Sequence, residues 1–326
     1  MLSRMPWRDF RGRSWGGSRT SLVWISWSIP ARSPDQSPSS RCTGPGLALT
    51  SSSLGTRNPT MPRALVITAP GINCDRELLD AFSLVGAQAE SVLLNQLRRN
   101  PTMIDRYQLI GLPGGFSYGD DVAAGRIMGR LIRQDLYGAL VEAINRGVPM
   151  IAPCNGFQIA VAAGILPGPC KDEPWPESPA PATVTLSPNR EARFVDRWTR
   201  IHVPETSRCI WTSDLQVDAE TDVLPSAHGE GRFMTTPEQL SSLQDQGRIA
   251  LTYGEGENFN GSLGAVAGIC DTSGLVLGLM PHPERFTRWT QHPTWTRLDP
   301  GCMDPEPMGL QMFRRAFEVA VGVHVA

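Results

Sequence analysis

The chain has 326 residues, 40% of them apolar and 19% charged, with a formal net charge of −2 and a mean hydropathy of −0.19. That length accommodates one large domain or two small ones. The main body shows no basic stripe for nucleic acid, and no run reaches the ~18 apolar residues of a membrane helix.

Charge divides unevenly along the chain. Residues 1–60 carry eight arginines against Asp9 and Asp35, a net charge of +6, which leaves −8 for residues 61–326. The same segment holds Trp7, Trp15, Trp24 and Trp27, thirteen serines and six prolines, without helical or strand periodicity. Arg4, Arg8, Arg11 and Arg13 ahead of Leu22-Val23-Trp24-Ile25-Ser26-Trp27 imitate a secretory leader, but that apolar run is short and broken by serine. A disordered basic arm is the alternative. We read residues 1–60 as an extension ahead of a natural start at Met61, and residues 61–326 as the folded domain.

Arg63–Ala69 is the first buried strand, followed by a helix carrying Leu78, Leu79, Phe82 and Val85. Cys74 lies in the loop between them, at a strand end from which it could approach a site, but having no elbow around it, it reads as structural. Ser91–Leu94 and Tyr107–Pro113 are further strands. The second runs into Gly114-Gly115-Phe116-Ser117-Tyr118-Gly119-Asp120-Asp121, where adjacent glycines let bare backbone N–H groups approach a ligand, as an oxyanion hole requires. Asp120 and Asp121 read as charges at a helix N-terminus. Helices are expected near 122–132 and 136–146.

Val148–Ile151 is an apolar run of the kind that makes a buried parallel strand, and Phe157–Ala163 reads as a helix stopped by Gly164. Between them, in Ile151-Ala152-Pro153-Cys154-Asn155-Gly156-Phe157-Gln158, Cys154 occupies a strand-to-helix turn. The dipole and free N–H groups of a helix start favour an anion there. Gly156 suits such an elbow, since a side chain two residues past a nucleophile crowds the neighbouring backbone.

The region 170–200 is proline-rich and then strand-like through Ala182–Leu186 and Arg193–Trp198, which reads as an antiparallel extension. His228-Gly229-Glu230-Gly231 places His and Glu two apart, but no third ligand is near, so a turn or substrate pocket outranks a metal centre. Leu275–Leu279 is another buried strand, leading into Met280-Pro281-His282-Pro283-Glu284-Arg285. His282 is the base that a Cys154 nucleophile needs, held between two prolines, with Glu284 placed to fix its tautomer. Arg288–Arg297 reads as a lid or a partner surface, and Gly309–Val321 as a closing helix packing Leu310, Phe313 and Phe317. Alternating strands and helices imply an α/β fold with a doubly wound, mostly parallel sheet.

Seven cysteines, scattered and odd in number, form neither a zinc motif nor a disulfide framework, and fit free thiols in a reducing cytosol. Lys171 is the single lysine, which excludes a phosphate-binding P-loop and a Schiff-base mechanism.

Together PCNGFQ, PGGFSYGDDVAAGRI, SAHGEG, NFNGS, MPHPER and the opening loop Gly71-Ile72-Asn73-Cys74-Asp75-Arg76-Glu77 resemble the class I glutamine amidotransferases. Within that class the motifs are similar to those of the glutaminase subunits of phosphoribosylformylglycinamidine synthase, an enzyme of purine biosynthesis. The resemblance runs from about Met61 to the C-terminus and implies the flavodoxin-like fold of the class. It implies Cys154 as nucleophile, His282 as base, Glu284 as its orienting carboxylate, and the N–H groups of Gly115 and Asn155 as oxyanion hole. It also implies that Gln158, His228 and Gly229 line the glutamine pocket. No metal or cofactor is expected in this chain. The expected partner is a separate synthase subunit that uses ATP with Mg and formylglycinamide ribonucleotide, with a small bridging subunit besides. Ala152 departs from the pattern, standing where the class usually has glycine. The alternatives are the amidotransferase component of another biosynthetic enzyme and a cysteine hydrolase or stress protein of the related superfamily; PGGFSYGDD and AHGEG weigh against both.

Overall fold

In the first strand, β1 (Arg63–Thr68), side chains alternate between two apolar layers: Leu65 and Ile67 enter one, Ala64 and Val66 the other. A strand buried on both faces belongs inside a sheet with helices on either side. The computed structural model describes residues 61–216, 218 and 220–322, so the expectations for residues 1–60 lie outside the described residues.

The remaining strands are β2 (Gln88–Leu93), β3 (Leu109–Gly111), β4 (Met150–Pro153), β5 (Val184–Ser187), β6 (Val195–His202), β7 (Val223–His228), β8 (Arg232–Thr235), β9 (Ile249–Tyr253), β10 (Val266–Cys270) and β11 (Val276–Leu279). Nine of them form one sheet in the order β2-β1-β3-β4-β11-β10-β9-β6-β7. From β2 to β11 neighbours run parallel, and from β11 through β10 to β7 antiparallel. The doubly wound, mostly parallel core with an antiparallel extension is therefore present. One detail is corrected: the strand expected at 182–186 leaves the main sheet and pairs as β5 with β8. Of the two strands expected in 170–200, β6 alone joins the main sheet.

The helices are α1 (Asp75–Leu84), α2 (Leu94–Arg99), α3 (Arg126–Asp135), α4 (Tyr137–Asn145), α5 (Asn155–Ala163), α6 (Pro237–Asp245) and α7 (Met308–Ala320). One sheet face is covered by Met128, Ile132, Leu140 and Phe157 of α3, α4 and α5. The other is covered by Phe82 of α1 and Phe313 of α7, whose rings meet edge to face at 5.2 Å. Each such buried ring contributes roughly 1.5–3 kcal/mol.

Two expected elements move. The second strand starts at Gln88, and Leu94 already belongs to α2. The helix expected from 122 starts only at Arg126, because the chain before it coils through positive φ at Tyr118, Gly119, Asp120 and Gly125. Asp120 Oδ1 accepts from Gly125 N at 3.2 Å and fixes that loop in place of a first helical turn.

The stretch 288–297 is tied down. Its His292 ring stacks near Trp198 and Phe286, and Trp289 Nε1 donates to the Pro305 carbonyl at 2.9 Å. The loops that leave the C-terminal ends of β1, β3, β4 and β11 gather at one edge, where open α/β sheets bind ligands.

Candidate active site

Cys154 stands between β4 and α5 with φ 53° and ψ −110°, a conformation that costs a non-glycine residue about 1–3 kcal/mol. Its surroundings enforce it. The Cys154 N–H donates to Leu279 O at 2.7 Å, and the Cys154 carbonyl accepts from Phe157 N at 3.0 Å. A Cβ on Gly156 would collide with the Leu112 carbonyl oxygen, so glycine is needed as the elbow pattern predicts. Ala152 fits because its neighbour on β11 is Gly278, which offers no side chain beside the extra methyl.

His282 follows β11, anchored by its N–H donating to Pro225 O at 2.7 Å. Its Nδ1 lies 2.6 Å from Glu284 Oε1, and both side chains are sealed from solvent. Among the described residues Nε2 has no oxygen or nitrogen partner, and the side chains of Cys154 and Cys74 interact with the ring. Burial opposes a charged ring, but the Glu284 carboxylate, together with the sulfurs of Cys154 and Cys74, outweighs it and holds the His282 pKa well above its ordinary value.

The Gly114-Gly115 loop fills the remaining side. A Cβ on Gly114 would lie 2.9 Å from His282 Cε1, 3.2 Å from Cys74 Sγ and 3.5 Å from Cys154 Cβ, so only glycine leaves these groups together. Gly115 has φ +137°, and a Cβ there would stand 2.7 Å from Asn73 N. Neither the Gly115 nor the Asn155 N–H is spent on another group among the described residues, which leaves both for an oxyanion.

Asn155 also works through its side chain. Its Oδ1 accepts from Ser117 N at 3.2 Å, and its Nδ2 donates to Gln158 Oε1 at 2.8 Å and Asp120 Oδ1 at 3.3 Å. The elbow and the glycine loop are thereby locked to one another. Gln158 Nε2 donates to the Glu230 carbonyl. These residues enclose a cavity of about 310 Å³ that Cys154, His282, Gln158, His228, Gly229 and Gly115 all line.

His228 is held in one tautomer by Asn189, a residue the motifs do not single out. Asn189 Nδ2 donates to the carbonyls of Arg193 and His228, so its Oδ1, 3.0 Å from His228 Nδ1, accepts from that nitrogen. Burial, with the nearby charge of His282, pushes the His228 pKa down to about 3. The ring is neutral at pH 7, and its unpartnered Nε2 is a hydrogen-bond acceptor.

Cys74 does approach the site: it lines the cavity, where Arg285 Nη2 donates to its sulfur at 2.9 Å, so it is more than the structural thiol that the missing elbow suggests. Asp120, read as a helix N-terminal charge, lies ahead of α3, whose first turn holds no acidic residue; it accepts from Gly125 N in the preceding loop and lines the cavity. Burial raises its carboxyl pKa against the hydrogen bonds from Gly125 and Asn155. Ligand atoms of Cys74, His282 and Glu284 lie within 4.8 Å of one another, but the Arg285 guanidinium on the Cys74 sulfur opposes a cation there.

Residues 61–319 match the CobB/CobQ-like glutamine amidotransferase domain. The chain belongs to that family. It is 37% identical over 265 residues to the phosphoribosylformylglycinamidine synthase subunit PurQ of Dehalococcoides mccartyi, covering 79% of this chain and 97% of that protein. The PurQ subunit of Treponema denticola is 41% identical over 240 residues, or 68% of this chain and 87% of its own length. The structure of PurLQS from Thermotoga maritima includes a chain that is 28% identical, with a TM-score of 0.58 over 79% of this chain and 98% of that one. The amidotransferase belongs with these PurQ subunits, and the family and fold implied by its motifs hold.

Proposed function

We propose that the chain hydrolyses glutamine at Cys154 and hands the ammonia to an ATP-dependent synthase subunit. That partner would convert formylglycinamide ribonucleotide to formylglycinamidine ribonucleotide in the reducing cytosol, with a small bridging subunit in the assembly. One observation carries the reading: a cysteine on a strained elbow shares a cavity with His282 of the buried His282–Glu284 pair, beside two backbone N–H groups with no other partner among the described residues.

In the first half-reaction the Cys154 sulfur attacks the side-chain amide carbon of glutamine. The carbonyl oxygen becomes an oxyanion held by the N–H groups of Gly115 and Asn155. The protonated His282 gives its proton to the amide nitrogen, the C–N bond breaks, ammonia leaves, and a γ-glutamyl thioester remains. Water then adds to the thioester carbon and gives a proton to His282. Collapse releases glutamate and returns the sulfur and imidazolium to their starting state. Glu284 keeps Nδ1 engaged, so the transferring nitrogen is Nε2 throughout. Gln158, the neutral His228 and the Gly229 backbone form the glutamine pocket.

The test is the complex reconstituted with its synthase. Cys154→Ala removes glutamine-dependent synthesis and leaves ammonia-dependent synthesis, because the thiol serves only to release ammonia. Equal loss of both activities in an intact complex would contradict the reading.

A further inference from the structure

Two cysteines meet at one imidazole. Cys154 occupies the N-cap position of α5, and Cys74 occupies the same position on α1. Of the described cysteines these are the two that line the catalytic cavity, and both side chains interact with the His282 ring. The point where a Cβ on Gly114 would stand lies 3.2 Å from Cys74 Sγ and 3.5 Å from Cys154 Cβ, and glycine puts no side chain there. The loop that carries Cys74 is tied to the glycine loop: the Cys74 N–H donates to Gly114 O at 3.3 Å, and Ile72 pairs with Gly115.

A helix N-terminus and a neighbouring cation are the surroundings in which cysteines react rather than merely pack. Cys74 has both, since Arg285 Nη2 donates to its sulfur at 2.9 Å, and the charge of Arg285 reaches Cys154 as well. Yet glutamine hydrolysis gives Cys74 no step. The contrast with the other thiols is plain. Cys209 and Cys270 are buried in the apolar layer beneath α1 and α7, and Cys170 and Cys302 reach the surface.

We propose that Cys74 is a resolving thiol for Cys154: a peroxide entering the cavity oxidises Cys154, and Cys74 captures it as a Cys74–Cys154 disulfide that switches glutamine hydrolysis off reversibly. The inference rests on Cys154 as the nucleophile of the glutaminase reading. The Cys154 sulfur attacks one peroxide oxygen, the O–O bond breaks, the other oxygen leaves as water, and a sulfenic acid remains. The Cys74 sulfur then attacks the Cys154 sulfur. The S–S bond forms, the S–O bond breaks, and the hydroxyl leaves as water with the Cys74 proton relayed by His282. Two thiols and one peroxide thus give one disulfide and two waters; each sulfur loses one electron and the peroxide gains both. Without Cys74 the sulfenic acid meets further peroxide and passes to the sulfinic acid, which a dithiol does not reduce. In a reducing cytosol such a bond is transient, as redox-sensing disulfides are.

The experiment treats the full chain with hydrogen peroxide, removes the peroxide, and reconstitutes the complex with or without dithiothreitol. Peptides are mapped by mass spectrometry without reduction, while glutamine-dependent and ammonia-dependent synthesis are read side by side. Cys74→Ser and Cys74→Ala, each checked for an unchanged melt, are compared with their own untreated activities. The parent chain is expected to yield a Cys74–Cys154 cross-linked peptide and to lose glutamine-dependent synthesis at least tenfold. Ammonia-dependent synthesis survives, and dithiothreitol restores most of the loss. In both Cys74 variants Cys154 is expected as the sulfinic or sulfonic acid, with a loss that dithiothreitol does not repair. Sulfinic acid at Cys154 of the parent chain, with no cross-link to Cys74, would overturn the proposal. So would variants that recover as fully as the parent, or a Cys209–Cys270 bond as the sole cross-link. Untreated chain is also exposed to a glutamine-like diazoketone. A Cys154 that this reagent does not label would overturn the glutaminase reading, whereas a labelled Cys154 that never cross-links overturns the disulfide alone.

Discussion

His282 Nδ1 sits 2.6 Å from Glu284 Oε1, two residues along the same turn, with both side chains buried. Burial alone would keep that ring neutral; the carboxylate keeps it charged. A raised pKa means that the stabilisation from this pair is fully present below the ordinary histidine pKa and disappears as pH rises through the folded value. In the proposed mechanism the same proton serves amide cleavage, so glutaminase activity is expected to fall on the alkaline side as the ring loses it.

Glu284→Gln is therefore expected to move that alkaline limb to lower pH and to reduce kcat less than His282→Asn does. Losing the proton carrier removes roughly 10²–10⁴-fold. Glutaminase pH profiles of both variants in the reconstituted complex decide the matter; an unmoved limb in Glu284→Gln would show that the carboxylate does not set the ring's charge.

His228 titrates the opposite way. Its pKa is depressed to about 3, so between pH 6.5 and 3 the unfolded chain binds a proton that the native chain refuses. Stability falls as pH drops through that window, by up to about 1.4 kcal/mol for each pH unit. In His228→Asn the slope should be shallower. Urea midpoints between pH 6.5 and 4.5 test this, and identical slopes in the two proteins would contradict it.

Gly156→Ala should disable the elbow. The new methyl meets the Leu112 carbonyl, a backbone atom that cannot swing aside. We expect a loss of about 1–3 kcal/mol, in the range of overpacked sites, together with loss of Cys154 labelling by the diazoketone. Normal labelling in this variant would mean that the backbone around Leu112 yields.

The site was more legible in the sequence than the sheet that carries it. Cys154, His282, Glu284 and the glycine loop sit next to strand ends that are themselves apolar runs, so local pattern locates them. The strand-end position of Cys74 hinted that it could approach the site, but its contact with Arg285, 211 residues away, is one that no local pattern carries. Asn189 was missed for the same reason, since its partner His228 lies 39 residues on. In the antiparallel half, Ile249–Tyr253 and Val266–Cys270 are apolar runs and could have been read as strands. Val223–His228 contains Pro225 and Ser226 and breaks the alternation a strand normally shows. That β5 pairs with β8, rather than joining the main sheet, follows from register and packing that sequence pattern does not encode.

The most direct measurement maps the covalent adduct of the glutamine-like diazoketone by peptide mass spectrometry. Two thiols line the cavity, Cys74 and Cys154, and both raise the His282 pKa, Cys154 by charge and hydrogen bonding and Cys74 by hydrogen bonding. The elbow, the two free N–H groups and the His282–Glu284 pair predict modification of the peptide that contains Cys154, and its disappearance in Cys154→Ala. An adduct on Cys74, with Cys154 unmodified, would contradict the assignment of the nucleophile.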